Sequence, residues 1–228
     1  KDKRKYILVL YFLSPIILYA SYMHGQLDII PTVFLIGAVY YLSEMGATAQ
    51  KEKAFEWKFI LFFTLALASK FHIVAALPLF FLYLFKRKGW KKAVFMTGLP
   101  LLLTVAAVLP FWGSGFINMV LLNREQLVID TVYLNYGNAH LLLPVLVLLF
   151  LYFQAFQINQ INRDLLISMT GLLFSVFLSF VPAMPAWFIW IVPFFMLYLA
   201  GQSESRGKMV LIYGGFNFLY LLYYVFPG

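Results

Sequence analysis

Apolar residues along this chain come in long blocks, with polar residues confined to the short stretches between them. The blocks stand at 6–23, 29–44, 59–85, 93–111, 139–156, 165–182, 187–200 and 209–226. A helix crossing a hydrocarbon core of about 30 Å needs roughly 20 apolar residues. The pattern therefore predicts an all-α fold, a polytopic transmembrane helical bundle of about seven full spans plus one re-entrant-like helical hairpin. Residues 1–228 read as a single transmembrane domain.

Sidedness follows from the basic residues. Segments 1–5, 45–58, 86–92, 154–164 and 201–208 hold all of the 17 Lys and Arg residues except Lys70 and Arg124. These five segments are expected in the cytoplasm. Tyr22–Asp28, the segment 112–138 and Pro182–Ala186 are then expected outside.

That parity constrains the block 59–85, which has basic clusters at both ends. One tilted span would put one cluster on the wrong side. A hairpin with its apex at Ser69-Lys70-Phe71-His72 keeps both on the same side. Its arms would be about 16 and 21 Å long at 1.5 Å per residue, short of the outer surface. Such a segment is tolerated only inside protein or beside a water-filled cavity, so the hairpin predicts a cavity open to the outside. Between Trp112 and Asn138, Phe116, Val120, Leu127, Val128 and Val132 recur at helical spacing, with Asn123, Gln126 and Asp130 opposite. This predicts an amphipathic helix lying at the outer interface and ended by Asn135-Tyr136-Gly137-Asn138.

Composition agrees with the pattern: 63% of residues are hydrophobic and 11% charged, whereas soluble domains carry about 25% charged residues. The net charge of +8 is spread over short interspan clusters and forms no basic patch for nucleic acid. Cysteine is absent, which excludes disulfides and thiol chemistry. No nucleotide-loop, zinc-protease or nucleophile-elbow pattern occurs. No cofactor is identified, and only scattered His and Asp would speak for a divalent metal. The chain opens on Lys1 with a basic cluster ahead of an internal-looking helix. It is expected to be the C-terminal part of a longer membrane protein.

The polar residues that break the pattern gather on the predicted outer side. His24, Gln26 and Asp28 sit together in the turn YMHGQLD. Asp28 reads as an N-cap for the helix that follows. With His24 and Gln26 it also reads as a site that binds sugar hydroxyls and moves a proton. Lys70, at the hairpin apex, costs about 2.5–3.5 kcal/mol near a bilayer centre. It fits a phosphate-binding ammonium, a residue snorkelling to headgroups, or a partner of an acid such as Asp28 that stabilises the bundle. His72 is a second candidate or a core histidine. Arg124 lies in phase with Val120 and Val128 and fits a lipid headgroup or a substrate phosphate equally well. Asn138 and His140 open one span on the outer side. Trp187 and Trp190 open another, as belt anchors or as a stacking surface for a sugar. Glu44 and Glu204 read as solvated cytoplasmic residues.

The block Ser14-Pro15 … HGQLDIIP, a span, a basic loop and then Leu65–Lys70 resembles the integral-membrane GT-C glycosyltransferases, most of all the mannosyltransferase-like members that use polyprenyl-phosphate sugars. Pro110-Phe111-Trp112, Asn138-Ala139-His140 and Pro185-Ala186-Trp187-Phe188-Ile189-Trp190 sit where such enzymes carry outer-face motifs. The resemblance implies residence in a bacterial plasma membrane with the N-terminus cytoplasmic. It also implies a lipid-linked donor entering from the outer leaflet and transfer to a glycan, lipid or protein acceptor. Lys70 and Arg124 match the phosphate-binding positions. Asp28 and His24 are the available acid–base pair, with Gln26, His72, Asn138, His140 and Trp187 as substrate contacts. The family's usual base lies in an earlier outer loop, which has no counterpart here. A lipid-linked-sugar flippase, a small-molecule transporter and a non-catalytic bundle remain as alternative readings.

Overall fold

The computed structural model describes residues 2–45, 49–118, 122, 132–180, 184–202 and 206–225. Among the described residues the fold is all-α apart from one β-hairpin. The first predicted span is interrupted: α1 (Asp2–Phe12) stops before Ser14, and α2 (Pro15–Ile17) runs on into a wider helical turn over Leu18–Met23. Proline cannot donate its backbone nitrogen, and a break at that point must be satisfied by neighbours. The neighbour is Asn217. Its amide oxygen accepts from the Ser14 hydroxyl at 2.6 Å and from the Ile16 N–H at 3.4 Å, and its amide nitrogen donates to Tyr213 O at 2.8 Å. We expect Asn217→Ala to cost about 1–3 kcal/mol by leaving these buried groups unpaired, seen as a lowered unfolding midpoint of the detergent-solubilised protein.

After the YMHGQLD turn come α3 (Ile29–Glu44), α4 (Ala49–Ser69) and α5 (Ala76–Lys88). The expected hairpin is present. Helix α4 ends at Ser69, Lys70 is extended (φ −152°, ψ 120°), and a tight turn over Phe71–Ala75 leads into α5. Phe59 and Phe63 on one arm pack on Phe80 of the other, with ring centroids 6.0 and 5.0 Å apart. The first arm is longer than expected, because the charged stretch before Phe59 is also helical: Glu52, Glu56 and Lys58 supply helix propensity where hydropathy has already fallen. Helices α3 and α4 approach closely at Gly37, where an added Cβ would overlap the Phe62 ring. Gly37→Ala is expected to cost about 1–3 kcal/mol and to lower the unfolding midpoint, whereas Gly98→Ala, with open space at its Cβ, should not.

Helix α6 (Trp90–Val108) carries on as a tight turn to Phe111, and a short α7 (Ser114–Phe116) follows. Most of the expected interfacial helix, Arg124 included, lies outside the described residues. Its C-terminal part differs from expectation. Strands β1 (Tyr133–Tyr136) and β2 (Ala139–Leu142) form an antiparallel hairpin with Tyr136 opposite Ala139. Gly137 takes φ 59° at the first turn position, as a two-residue hairpin turn allows for glycine. Tyr133 and Tyr136 ahead of Gly137-Asn138 favour a strand and a tight turn, and they won over the helical spacing. The helix expected from 139 consequently starts later, as α8 (Leu143–Gln157), with Pro144 in its first turn. Helices α9 (Arg163–Phe180), α10 (Val192–Gln202) and α11 (Arg206–Tyr224) complete the fold, with Pro185–Trp190 forming a tight helical turn ahead of α10.

By length and hydropathy, two of the described helices suffice to cross a membrane: Trp90–Phe111 and Arg163–Phe180. Others are apolar but shorter, at Ile29–Glu44, Leu143–Gln157 and Pro185–Gly201. The polar ends of the helices are sorted. Arg163 pairs with Glu44 at 2.7 Å, Lys92 with Glu56 at 2.6 Å and Lys88 with Glu52. Lys86 donates to the carbonyls of Phe156 and Ile158. Segments 45–58, 86–92 and 154–164 thus share one end of the molecule. Glu44, expected to be merely solvated, is tied to Arg163; Glu204 lies outside the described residues. Lys88 beside Glu52 holds that carboxyl below the usual carboxylate range. Two cores support the bundle. One joins α3, α4, α5, α6 and α9 with single residues of α8 and α10, and the other joins α1, α2, α10 and α11. The turn Pro185–Trp190 lies between them: Trp190 belongs to the first, Ala186 and Ile189 to the second.

Candidate functional site

Opposite the basic end, separate helix interruptions meet. The first is the turn ahead of α3. Gly25 takes φ 63° there, a conformation glycine adopts without strain. The second is the extended Lys70 between α4 and the turn 71–75, and the third is the tight turn Pro185–Trp190.

Asp28 is the centre of this junction. It is 4% exposed, and its carboxylate does not cap α3. Oδ1 instead accepts from the Lys70 ammonium at 2.9 Å and from the Trp190 indole N–H at 3.3 Å. Burying a carboxylate without partners is prohibitive, so these donors explain why it sits there. The Lys70 side chain is 38% exposed: its ammonium joins the buried acid to the surface. It also lies 5.7 Å from the Trp190 ring centroid, within cation–π range.

Aromatic rings wall this pair. His72 stacks on Trp190 with centroids 3.8 Å apart and planes 27° apart, and Trp187 stacks on Trp190 at 5.2 Å and 15°. Three residues per turn in a tight helix bring Trp187 and Trp190 into line. Phe174 and Phe177 of α9 close around His72 at 6.0 and 6.3 Å. Trp190 is buried; Trp187 is only partly so. Gln26 reaches the same wall, its amide 3.7 Å from Met184 Sδ. Tyr152 of α8 donates to Ala75 O at 2.6 Å, satisfying the broken backbone after Lys70.

No protein-family model, curated protein or solved structure matches this chain. Asp28, Lys70, His72 and Trp187 come together as candidates, while Gln26 reaches Met184, just ahead of the turn that carries Trp187. His24 does not join them: it is exposed, and its ring lies against Tyr19, centroids 5.9 Å apart. The wider turn over Leu18–Met23 rotates it away, with His24 N–H bonded back to Tyr19 O. Asn138 and His140 sit on the β-hairpin, exposed, where His140 Nδ1 donates to Asn135 Oδ1 at 2.7 Å. Arg124 lies outside the described residues. Among the described residues, no three His, Asp or Glu side chains gather as a metal site would require.

The sequence reading missed Trp190 as a donor to Asp28. Its spacing of three from Trp187, in a turn opened by Pro185, was the available signal. It also missed the pairing of Ser14 with Asn217, 203 residues apart, for which no local signal exists.

Proposed function

We propose that this chain is a polytopic membrane protein and the membrane part of a glycosyltransferase. It would move a hexose, with mannose the first candidate, from a polyprenyl-phosphate donor to an acceptor hydroxyl on the extracytoplasmic face. The observation that carries the reading is the Asp28–Lys70–Trp190 junction: a buried acid, a surface-reaching ammonium and an aromatic stack at one end of the bundle. Helix surfaces rich in exposed Leu and Phe, such as Leu102, Phe150, Phe153 and Phe218, support the membrane part of the proposal.

In this reading Lys70 turns from Asp28 to the donor phosphate, for which an ammonium is a strong ligand. Trp187, the more open end of the stack, faces the sugar ring. The acceptor oxygen attacks the anomeric carbon and the bond from that carbon to the phosphate oxygen breaks. The phosphate leaves with the electron pair, and the carboxylate of Asp28, released from Lys70, takes the acceptor proton. Lys70 near the leaving phosphate lowers the barrier electrostatically. His24 has no part in this scheme.

A transporter of lipid-linked sugars is the second reading, favoured by the helix interruptions at Ser14-Pro15 and Lys70. One experiment separates the two. Protein in liposomes is given polyprenyl-phosphate mannose labelled in the sugar, together with an extract of cell-envelope acceptors. Release of polyprenyl phosphate with label in the acceptor fraction, lost in Lys70→Ala, is the expected outcome. Movement of intact donor to the opposite leaflet without release would replace this reading by the transporter.

A further inference from the structure

The β-hairpin Tyr133–Leu142 has two unlike faces. Its register pairs Tyr133 with Leu142, Leu134 with Leu141, Asn135 with His140 and Tyr136 with Ala139. Paired residues point to the same side and successive residues to opposite sides. Leu134, Tyr136, Ala139 and Leu141 therefore share one face, entirely apolar but for the Tyr136 hydroxyl. Asn135 and His140 share the other, joined by a hydrogen bond of 2.7 Å with Tyr133 edge-on to the imidazole at 4.9 Å. The apolar face is uncovered: Leu134 is 54% and Tyr136 79% exposed. An isolated two-stranded hairpin is marginal in water, so this one needs a surface to lie on.

Helix α8 indicates which surface. It follows the hairpin without a break, and its own outer side shows Leu149, Phe150 and Phe153. Its 15 residues span about 22 Å, short of a core of about 30 Å. Its C-terminal end is held at the polar end of the bundle by Lys86 on Phe156 O. The shortfall therefore falls at the N-terminal end, where the hairpin lies. No Asp, Glu, Lys or Arg occurs between Thr131 and Asn162, so nothing charged opposes contact with lipid. The unpaired edges of a two-stranded ribbon forbid entry into the hydrocarbon itself and limit the depth to the headgroup boundary.

We propose that the hairpin Tyr133–Leu142 is a membrane-interface anchor, lying with Leu134, Tyr136 and Leu141 in the outer-leaflet boundary and with Asn135 and His140 toward water. This rests on the membrane reading above. It accounts for Asn138 and His140 as residues of an anchor and not of the Asp28 junction.

Because the chain has no cysteine, single-cysteine variants carry a nitroxide label without background. Leu134→Cys, Asn135→Cys, Tyr136→Cys and, as a depth reference, Phe153→Cys are placed in vesicles of phosphatidylethanolamine and phosphatidylglycerol. Collision rates with oxygen and with a water-soluble nickel chelate are then read. Expected is the highest oxygen-to-nickel ratio at 153, an intermediate ratio at 134 and 136, and a ratio several-fold lower at 135. Tyr133→Cys, on the same face as Asn135, should repeat the low value if loss of the Asn135–His140 bond disturbs the hairpin. High nickel access at 134 and 136 with 153 still in lipid overturns the anchor and leaves the membrane reading standing. Immobilised labels at 134 and 136 shielded from both reagents mean a protein cover and also overturn it. High nickel access at 153 removes the membrane reading and the anchor together.

Discussion

Lys70→Met should lower the stability of the folded protein by about 3 kcal/mol, near the low end for breaking a buried ion pair. The low end applies because the Lys70 side chain is over a third exposed, so solvent already screens part of the interaction. The larger share of the cost belongs to Asp28, left 4% exposed without its cation. For a chain of this size that is a fall in unfolding midpoint of about 6–12 °C. Adding Asp28→Asn should recover most of it, because a neutral amide needs no counter-charge and its oxygen still accepts from the Trp190 indole. Function and stability then part company. The double variant should fold well and still fail to bind polyprenyl-phosphate mannose, because the ammonium is gone. If it regains both the midpoint and donor binding, the pair is a structural brace and the phosphate role assigned to Lys70 is wrong.

Trp190→Ala is expected to have an equal or larger effect on stability, about 3–5 kcal/mol, as for other buried aromatic truncations. The side chain fills the space between His72, Trp187 and Phe174 and supplies one of the donors to Asp28. Trp190→Phe separates the two contributions. It keeps most of the ring volume and loses the indole N–H, so its cost should be nearer that of one hydrogen bond to a charged group, about 1.5–3 kcal/mol. Thermal unfolding of both variants in the same detergent is the measurement. Equal midpoints for Ala and Phe would mean that the bond to Asp28, and not packing, carries the effect. The same pair predicts an altered Trp187, whose stacking partner is lost in the alanine variant and kept in part by phenylalanine.

Much of the helical pattern could be read from hydropathy, because α3, α6 and α9 are close to continuous apolar blocks with polar ends. The hairpin apex at Lys70 was legible for a related reason: basic clusters on both sides of the block 59–85 leave few arrangements, and a lone lysine in an apolar block is costly unless the chain turns there. The β-hairpin was not legible as such. The stretch around Tyr133–Leu142 carries helical and alternating signals at once, and a two-residue turn at Gly137 decided between them.

The site divides in the same way. Asp28, Lys70, His72 and Trp187 each stood out as polar or aromatic exceptions in an apolar chain, and the energetic cost of burying an ionisable group is written in the sequence wherever it lies. Which exceptions share a partner is not. His24 and Asp28 are four residues apart, yet the widened helical turn before Gly25 sends them to different neighbours. Lys70 and Trp190 are far apart in the chain, yet they meet on one carboxylate oxygen. By itself the sequence determined the helical class, the grouping of the basic segments 45–58, 86–92 and 154–164 and the list of costly side chains, because those depend on local composition. Only the tertiary structure decided that Asp28 serves Lys70 and Trp190 rather than its own helix, because long-range pairing is set by how the helices pack.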